Sequence, residues 1–203
     1  MGELLDDPGA LQARVAAVRT YLAGAGGVTP ESIELRVAAS VTHLGLSART
    51  LSPVFALAVL GPPGATAPGL SLRDLRWQPT VGSMFALSMP ESASGSEQFV
   101  VDPLARELCA IMRPFGVSER VLRGNIASAL NGARVALSSA EPELAPAARA
   151  VLGRVLAEPL LAGTARIAAD GRFRRRSCCL IYRAAPDRRG PLCGDCVLAG
   201  GPG

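Results

Sequence analysis

Lysine is absent from the chain, and all 21 basic residues are arginine. Histidine and tryptophan occur once each, aromatic residues make up 4% of the sequence, and cysteine is confined to 5 positions. Each shortage closes a route to function. A phosphate-cradling loop of the Walker type ends in G-K-[ST], so "GPPGATAPG" at 61–69 is not one. A single histidine leaves no histidine-rich metal site and no recognisable Ser-His-Asp set. Long apolar runs are also missing: the longest, "SPVFALAVLG" from Ser52 to Gly61, is half of the roughly 20 residues that span a bilayer. The start, "MGELLDDPGALQAR", has no basic region followed by an apolar stretch, so it does not read as a secretory signal. The expectation is a soluble cytoplasmic protein without a transmembrane segment. Contact with the inner face of the membrane stays open, although no amphipathic anchor supports it.

What is present is an apolar content of 49%, mostly Ala, Leu and Val, which favours packed helices. At 203 residues the chain can bury a real core, as one domain or one domain with a small appendage. The net charge is +4, but the arginines are scattered except near the C-terminus. Their abundance reads as a coding bias, and no nucleic-acid partner is expected.

Helical spacing of apolar residues predicts a first helix from Gly9 to about Leu22, ended by "GAGG". Thr29 as N-cap and Pro30 at the first position predict a second, to about Leu46, with Ile33, Val37, Val41 and Leu44 buried. Ser52-Pro53 repeats the start signal and predicts a separate apolar helix, "PVFALAVLG". Phe85, Leu87 and Met89 alternate with Met84, Ala86 and Ser88 beyond a turn at Pro79–Gly82, which predicts a short hairpin. After a polar linker, "ESASGSEQ", helices are expected over Val101–Met112, after Ser118, and over "EPELAPAARAVLGRVLAE" with Pro142 near its start.

Four of the five cysteines lie within "RRRSCCLIYRAAPDRRGPLCGDC": Cys178-Cys179, thirteen residues, then Cys193-Gly194-Asp195-Cys196. The fifth, Cys109, sits in an apolar helical pattern and reads as core. In a reducing compartment clustered thiols point to metal or redox chemistry before disulfides. The C-x-x-C half lets both sulfurs turn toward one ion, and Gly194 helps the turn. Adjacent side chains such as Cys178 and Cys179 diverge in extended backbone and suit one tetrahedral zinc poorly. A [2Fe-2S] cluster spreads four thiolates over two irons and eases that conflict. Structural zinc, a vicinal disulfide at Cys178-Cys179 and unliganded buried thiols are the alternatives.

"RRRSCCLIY" followed by "LCGDCVL" resembles the C-terminal signature of the FhuF-like ferric siderophore reductases: a Cys-Cys pair, a spacer shorter than the one here, and C-x-x-C. "RVAASVTHLGLSARTLSPVFALAVLG" and "RVLRGNIASAL" are also similar to the body of small members of that group. The resemblance implies that Cys178, Cys179, Cys193 and Cys196 hold a [2Fe-2S] cluster. It further implies one-electron reduction of Fe(III) carried by a siderophore, with electrons from a donor such as a ferredoxin or flavoprotein. Hard oxygen ligands hold Fe(III) far better than Fe(II), so one electron loosens the chelate. The expected fold is α+β and predominantly helical. A helical body with a small antiparallel hairpin over 1–172 is followed by a C-terminal cysteine-bound iron-sulfur module over 173–203, too short for a core of its own.

Around such a cluster Arg174, Arg175 and Arg176 would stabilise the reduced, more negative state, or dock an acidic donor or an anionic chelate. Arg36 and His43, seven residues apart, could share a helix face toward a ligand. Trp77 could line a pocket or anchor the small sheet, and Asn125 could bond a ligand or nearby backbone. The competing functions are a zinc-stapled binding module, and a cluster-bearing electron-transfer or redox-sensor protein without its own siderophore site.

Overall fold

Asp7 accepts a hydrogen bond from the Gly9 N–H at 2.8 Å and Pro8 takes the first helical position, so helix α2 (Pro8–Gly26) starts there, just after a single turn, α1 (Glu3–Asp6). It ends on Gly27 at φ +64°, a left-handed cap that glycine adopts without a Cβ penalty. The computed structural model describes residues 1–61, 70–78, 86–89, 101–168 and 171–199. The expected turn at Pro79–Gly82, Phe85, the linker 91–98 and most of the loop 61–69 lie outside the described residues.

The start signal at Thr29-Pro30 opens only a short 3-10 turn, Pro30–Ser32, and buried Ile33 follows it in extended backbone. Helix α3 begins at Leu35 and runs unbroken to Leu60 with Pro53 inside, so the two helices expected here are one. An internal proline forfeits one backbone hydrogen bond, at a cost of about 3 kcal/mol. Burial of Val54, Phe55 and Val59 beyond it, at roughly 1.5–3 kcal/mol each, outweighs that loss. By length and composition alone α3 could cross a membrane. In the fold it is the central core helix, burying Val37, Leu46, Leu51 and Phe55; Val41 and Leu44 are half-buried.

Helices α4 (Asp102–Ile111), α5 (Glu119–Ala140) and α6 (Ala145–Ala157) follow. Ser118 stands at the N-cap position of α5 as expected, although its side chain makes no capping hydrogen bond, and Pro142 opens a 3-10 turn before α6. The main core gathers Leu46, Phe55, Leu108, Ile126 and Leu152 between α3, α4, α5 and α6, and Cys109 is part of it.

Among the described residues two antiparallel two-stranded sheets complete the α+β arrangement. Strands β1 (Arg76–Trp77) and β2 (Leu87–Ser88) form the expected hairpin, pairing Trp77 with Leu87. The second, β3 (Ala165–Ile167) with β4 (Phe173–Arg175), carries no alternation clear enough to predict it. The expected division between 172 and 173 falls inside this hairpin, and Phe173 lies in the main core. The cysteine segment therefore grows out of the body's own sheet.

Candidate metal centre

Strand alternation sorts the three arginines that precede the cysteines. Arg175 turns inward and is 1% exposed, Arg174 is half-buried, and Arg176 is exposed. Beyond them the chain passes Cys178 and Cys179 and turns at Leu180, which has φ +69°. That turn brings the Leu180 N–H onto Cys178 Sγ at 3.3 Å. The C-x-x-C half repeats the device: the Cys196 N–H closes on the Cys193 carbonyl at 3.0 Å, and the Leu198 N–H donates to Cys196 Sγ at 3.3 Å. Each knuckle thus aims an amide at a sulfur, the interaction that steadies thiolate charge. Between the knuckles Cys179 Sγ and Cys193 Sγ are 3.5 Å apart.

Cys178, Cys179 and Cys193 respond electrostatically to the thiols around them. A hydrogen bond from Cys193 draws the Cys179 thiol down to about 6, with the Ile181 N–H and the Arg175 charge assisting against the opposing effect of burial. Cys193, which keeps the proton in that contact, is pushed up, and burial adds to the rise. Cys178 is raised by burial first and then by Cys179 and Cys196. Among the described residues no three Cys, His, Asp or Glu donors gather on a single ion. Four soft donors, two amides directed at sulfur and a buried guanidinium fit a thiolate-bound cluster in chemistry. Among the described residues only Cys179 and Cys193 are in direct sulfur contact.

A buried polar chain ties this lobe to the helices. Ser40 Oγ on α3 donates to the Cys179 carbonyl at 2.8 Å, Asn125 Nδ2 on α5 donates to the Ser40 carbonyl at 3.0 Å, and Arg175 Nη2 donates to Asn125 Oδ1 at 2.6 Å. Asp195, inside the C-x-x-C, accepts from Ser128 Oγ at 2.6 Å and from Asn131 Nδ2 at 3.3 Å, while its carbonyl accepts from the Arg175 N–H at 3.1 Å. Arg174 Nη1 holds the Cys196 carbonyl at 3.1 Å and Arg120 Nη2 holds the Arg176 carbonyl at 2.8 Å. Gly124 makes the close approach possible, since a Cβ there would lie 2.1 Å from Ser177 Oγ. On the long spacer, Arg183 pairs with Glu34 at 2.6 Å and Arg188 reaches the same carboxylate at 3.7 Å.

The structure gathers Cys178, Cys179, Cys193 and Cys196 with Asn125 and Arg174–Arg176 in one lobe and leaves other candidates outside it. Arg36 and His43 do not form a common ligand face. Arg36, in the first turn of α3, bends back to Glu34 at 2.8 Å on the surface, whereas His43 is wholly buried two turns deeper. Burial and then the nearby Arg175 charge lower the His43 imidazole to about 3, so it is neutral. Trp77 donates from Nε1 to Glu3, and the Arg14 guanidinium lies 5.1 Å from its ring centre, so it anchors the β1–β2 hairpin to the N-terminal helices.

Sequence reasoning missed Ser40, Ser128, Asn131 and above all Asp195. One signal was available: Asn125, Ser128 and Asn131 recur every three residues along a mostly apolar helix, marking one polar stripe on α5. No protein-family model, no curated protein and no solved structure matches the chain.

Proposed function

We propose that the chain is a cytoplasmic ferric-siderophore reductase in which Cys178, Cys179, Cys193 and Cys196 hold a [2Fe-2S] cluster. The observation that carries this reading is the pair of knuckles, each with an N–H on sulfur, meeting at the 3.5 Å contact of Cys179 Sγ with Cys193 Sγ. A cluster of this type, when bound, supplies one electron at a time.

The protein's own groups fit that work. The Leu180 and Leu198 amides steady thiolate charge, and the buried Arg175 guanidinium offsets it. Ser40, Asn125, Ser128 and Asn131 fix the backbone that presents the sulfurs. Exposed Leu192, Val197 and Leu198 flank Cys193 and Cys196, leaving an apolar rim where a chelate or an electron donor can approach. The substrate's Fe(III) gains one electron and becomes Fe(II), which its hard oxygen ligands hold weakly. No proton transfer or nucleophile is required of the chain.

The test is anaerobic purification followed by titration. The expected protein is coloured, carries about two irons and two labile sulfides per chain, bleaches on reduction, and is reoxidised stoichiometrically by ferric hydroxamate or catecholate chelates. A colourless, zinc-loaded chain would sink the cluster. A cluster that no ferric chelate reoxidises would replace the reductase with an electron-transfer or sensor role.

A further inference from the structure

Beside the Cys196 knuckle a cavity of about 360 Å³ is lined by Arg120, Arg166, Arg174, Arg175, Arg176 and Val197. Five of its six lining residues are arginines, contributed by α5, β3, β4 and the residue that follows β4. Among the described residues none of the five is in an ion pair: Arg120 and Arg174 reach backbone carbonyls, and Arg175 reaches Asn125 with one nitrogen while its Nε and Nη1 are buried without a partner. Arg175 turns inward to Asn125, and keeping the four other like charges around one concavity costs stability unless something negative enters it. The sixth lining residue, Val197, directly follows Cys196, so whatever enters lies next to the sulfur lobe.

Resting on the reading above, we infer that this cleft binds the substrate and selects ferric chelates of net negative charge, the catecholate and carboxylate class, over neutral hydroxamates. The volume falls in the range of small-molecule sites, and the surface is concave. Guanidinium forks match paired oxygens, which a catecholate arm and a carboxylate both present. Three catecholate arms are together more negative than the trivalent ion is positive, so that chelate is an anion; three hydroxamates only cancel the charge. An acidic protein partner would meet the same arginines, but it would need a broad face, whereas these arginines line one hollow.

Binding is measured with gallium(III) chelates, which copy ferric complexes in charge and shape but accept no electron. Calorimetry on the protein as purified compares gallium tris-catecholate with a neutral gallium tris-hydroxamate. The variants are Arg166→Ala with Arg176→Ala, whose side chains are exposed, and the charge-keeping pair Arg166→Lys with Arg176→Lys. The wild type should bind the catecholate more tightly than the hydroxamate. The alanine pair should lose about tenfold or more in catecholate affinity, with the lysine pair between and the hydroxamate little changed. Thermal unfolding confirms that each pair is folded. Equal affinity for the two chelates, no catecholate binding, or catecholate binding indifferent to the alanine pair would overturn the inference. So would variants that weaken only the complex with an acidic ferredoxin. Because gallium takes no electron, failure of the reductase reading leaves this binding result standing, and a working reductase that ignores chelate charge would defeat the cleft alone.

Discussion

Arg175 Nη2 donates to Asn125 Oδ1 across 2.6 Å of protein interior, and both residues are at most 1% exposed. A charged group so buried depends on every acceptor it has. Replacing Asn125 with Ala removes that acceptor and also frees the Ser40 carbonyl. Hydrogen bonds to charged groups contribute about 1.5–3 kcal/mol, so Asn125→Ala should lower stability by at least about 2 kcal/mol in urea titration. A loss below about 0.5 kcal/mol, the level of an ordinary surface change, would show that Arg175 finds another partner.

Arg175 also illustrates where the sequence was and was not legible. The adjacent thiols, the C-x-x-C and most helix positions could be read from spacing and caps. The different fates of three consecutive arginines could not, because a run of like residues carries no periodicity. Only the pairing of β4 with β3 assigns 174 and 176 outward and 175 inward. Pro53 misled for a related reason: a start signal is local, while the burial that keeps α3 continuous comes from helices far along the chain.

Asp195 is half-exposed, yet it joins the second knuckle to α5 through Ser128 and Asn131. Asp195→Ala should loosen that knuckle while leaving the helical core intact. In the metal-free reduced protein, Cys196 should then react faster with a thiol reagent. Cys109, buried and raised to about 11 by that burial, should remain slow and serves as the internal control. Unchanged Cys196 reactivity would mean that the Arg174 contact to its carbonyl is enough.

Gly124 offers a test of close packing whose sign opposes intrinsic propensity. Glycine to alanine in a helix interior ordinarily gains up to about 1 kcal/mol. Here the new methyl would meet Ser177 Oγ at 2.1 Å and Arg175 Nη2 at 3.3 Å, so Gly124→Ala should destabilise. Combining it with Ser177→Ala should recover part of the loss, because the clashing hydroxyl is gone and had no hydrogen-bond partner. Additive effects in that double-mutant cycle would contradict the contact.

His43 makes the fold acid-sensitive. Its folded pKa, about 3, lies below the ordinary 6.5 because of burial and the Arg175 charge. Between those values the unfolded chain binds a proton that the folded chain does not, so stability must fall as pH drops below about 6.5. One such proton changes stability by about 1.4 kcal/mol per pH unit. His43→Gln should flatten the slope between pH 6.5 and 5, a window above most carboxylate titration, and an unchanged slope would place the proton elsewhere.

The most decisive variants concern the adjacent thiols, because one of them could be a ligand and the other a spare. The geometry gives them different surroundings: Cys179 is buried and meets Cys193 at 3.5 Å, while Cys178 is half-buried and receives the Leu180 N–H. Both are nonetheless directed sulfurs, one held by a facing thiol and one by an amide, and neither packs as an inert core side chain. Cys178→Ser and Cys179→Ser should therefore each abolish or strongly shift the visible spectrum of anaerobically purified protein, whereas Cys109→Ser should leave it unchanged. Serine keeps the size and replaces a soft donor with a hard one, so loss of the spectrum reports ligation and is separable from misfolding by far-ultraviolet circular dichroism. A normal spectrum from Cys178→Ser would show that Cys178 is the spare thiol and not a ligand of the cluster.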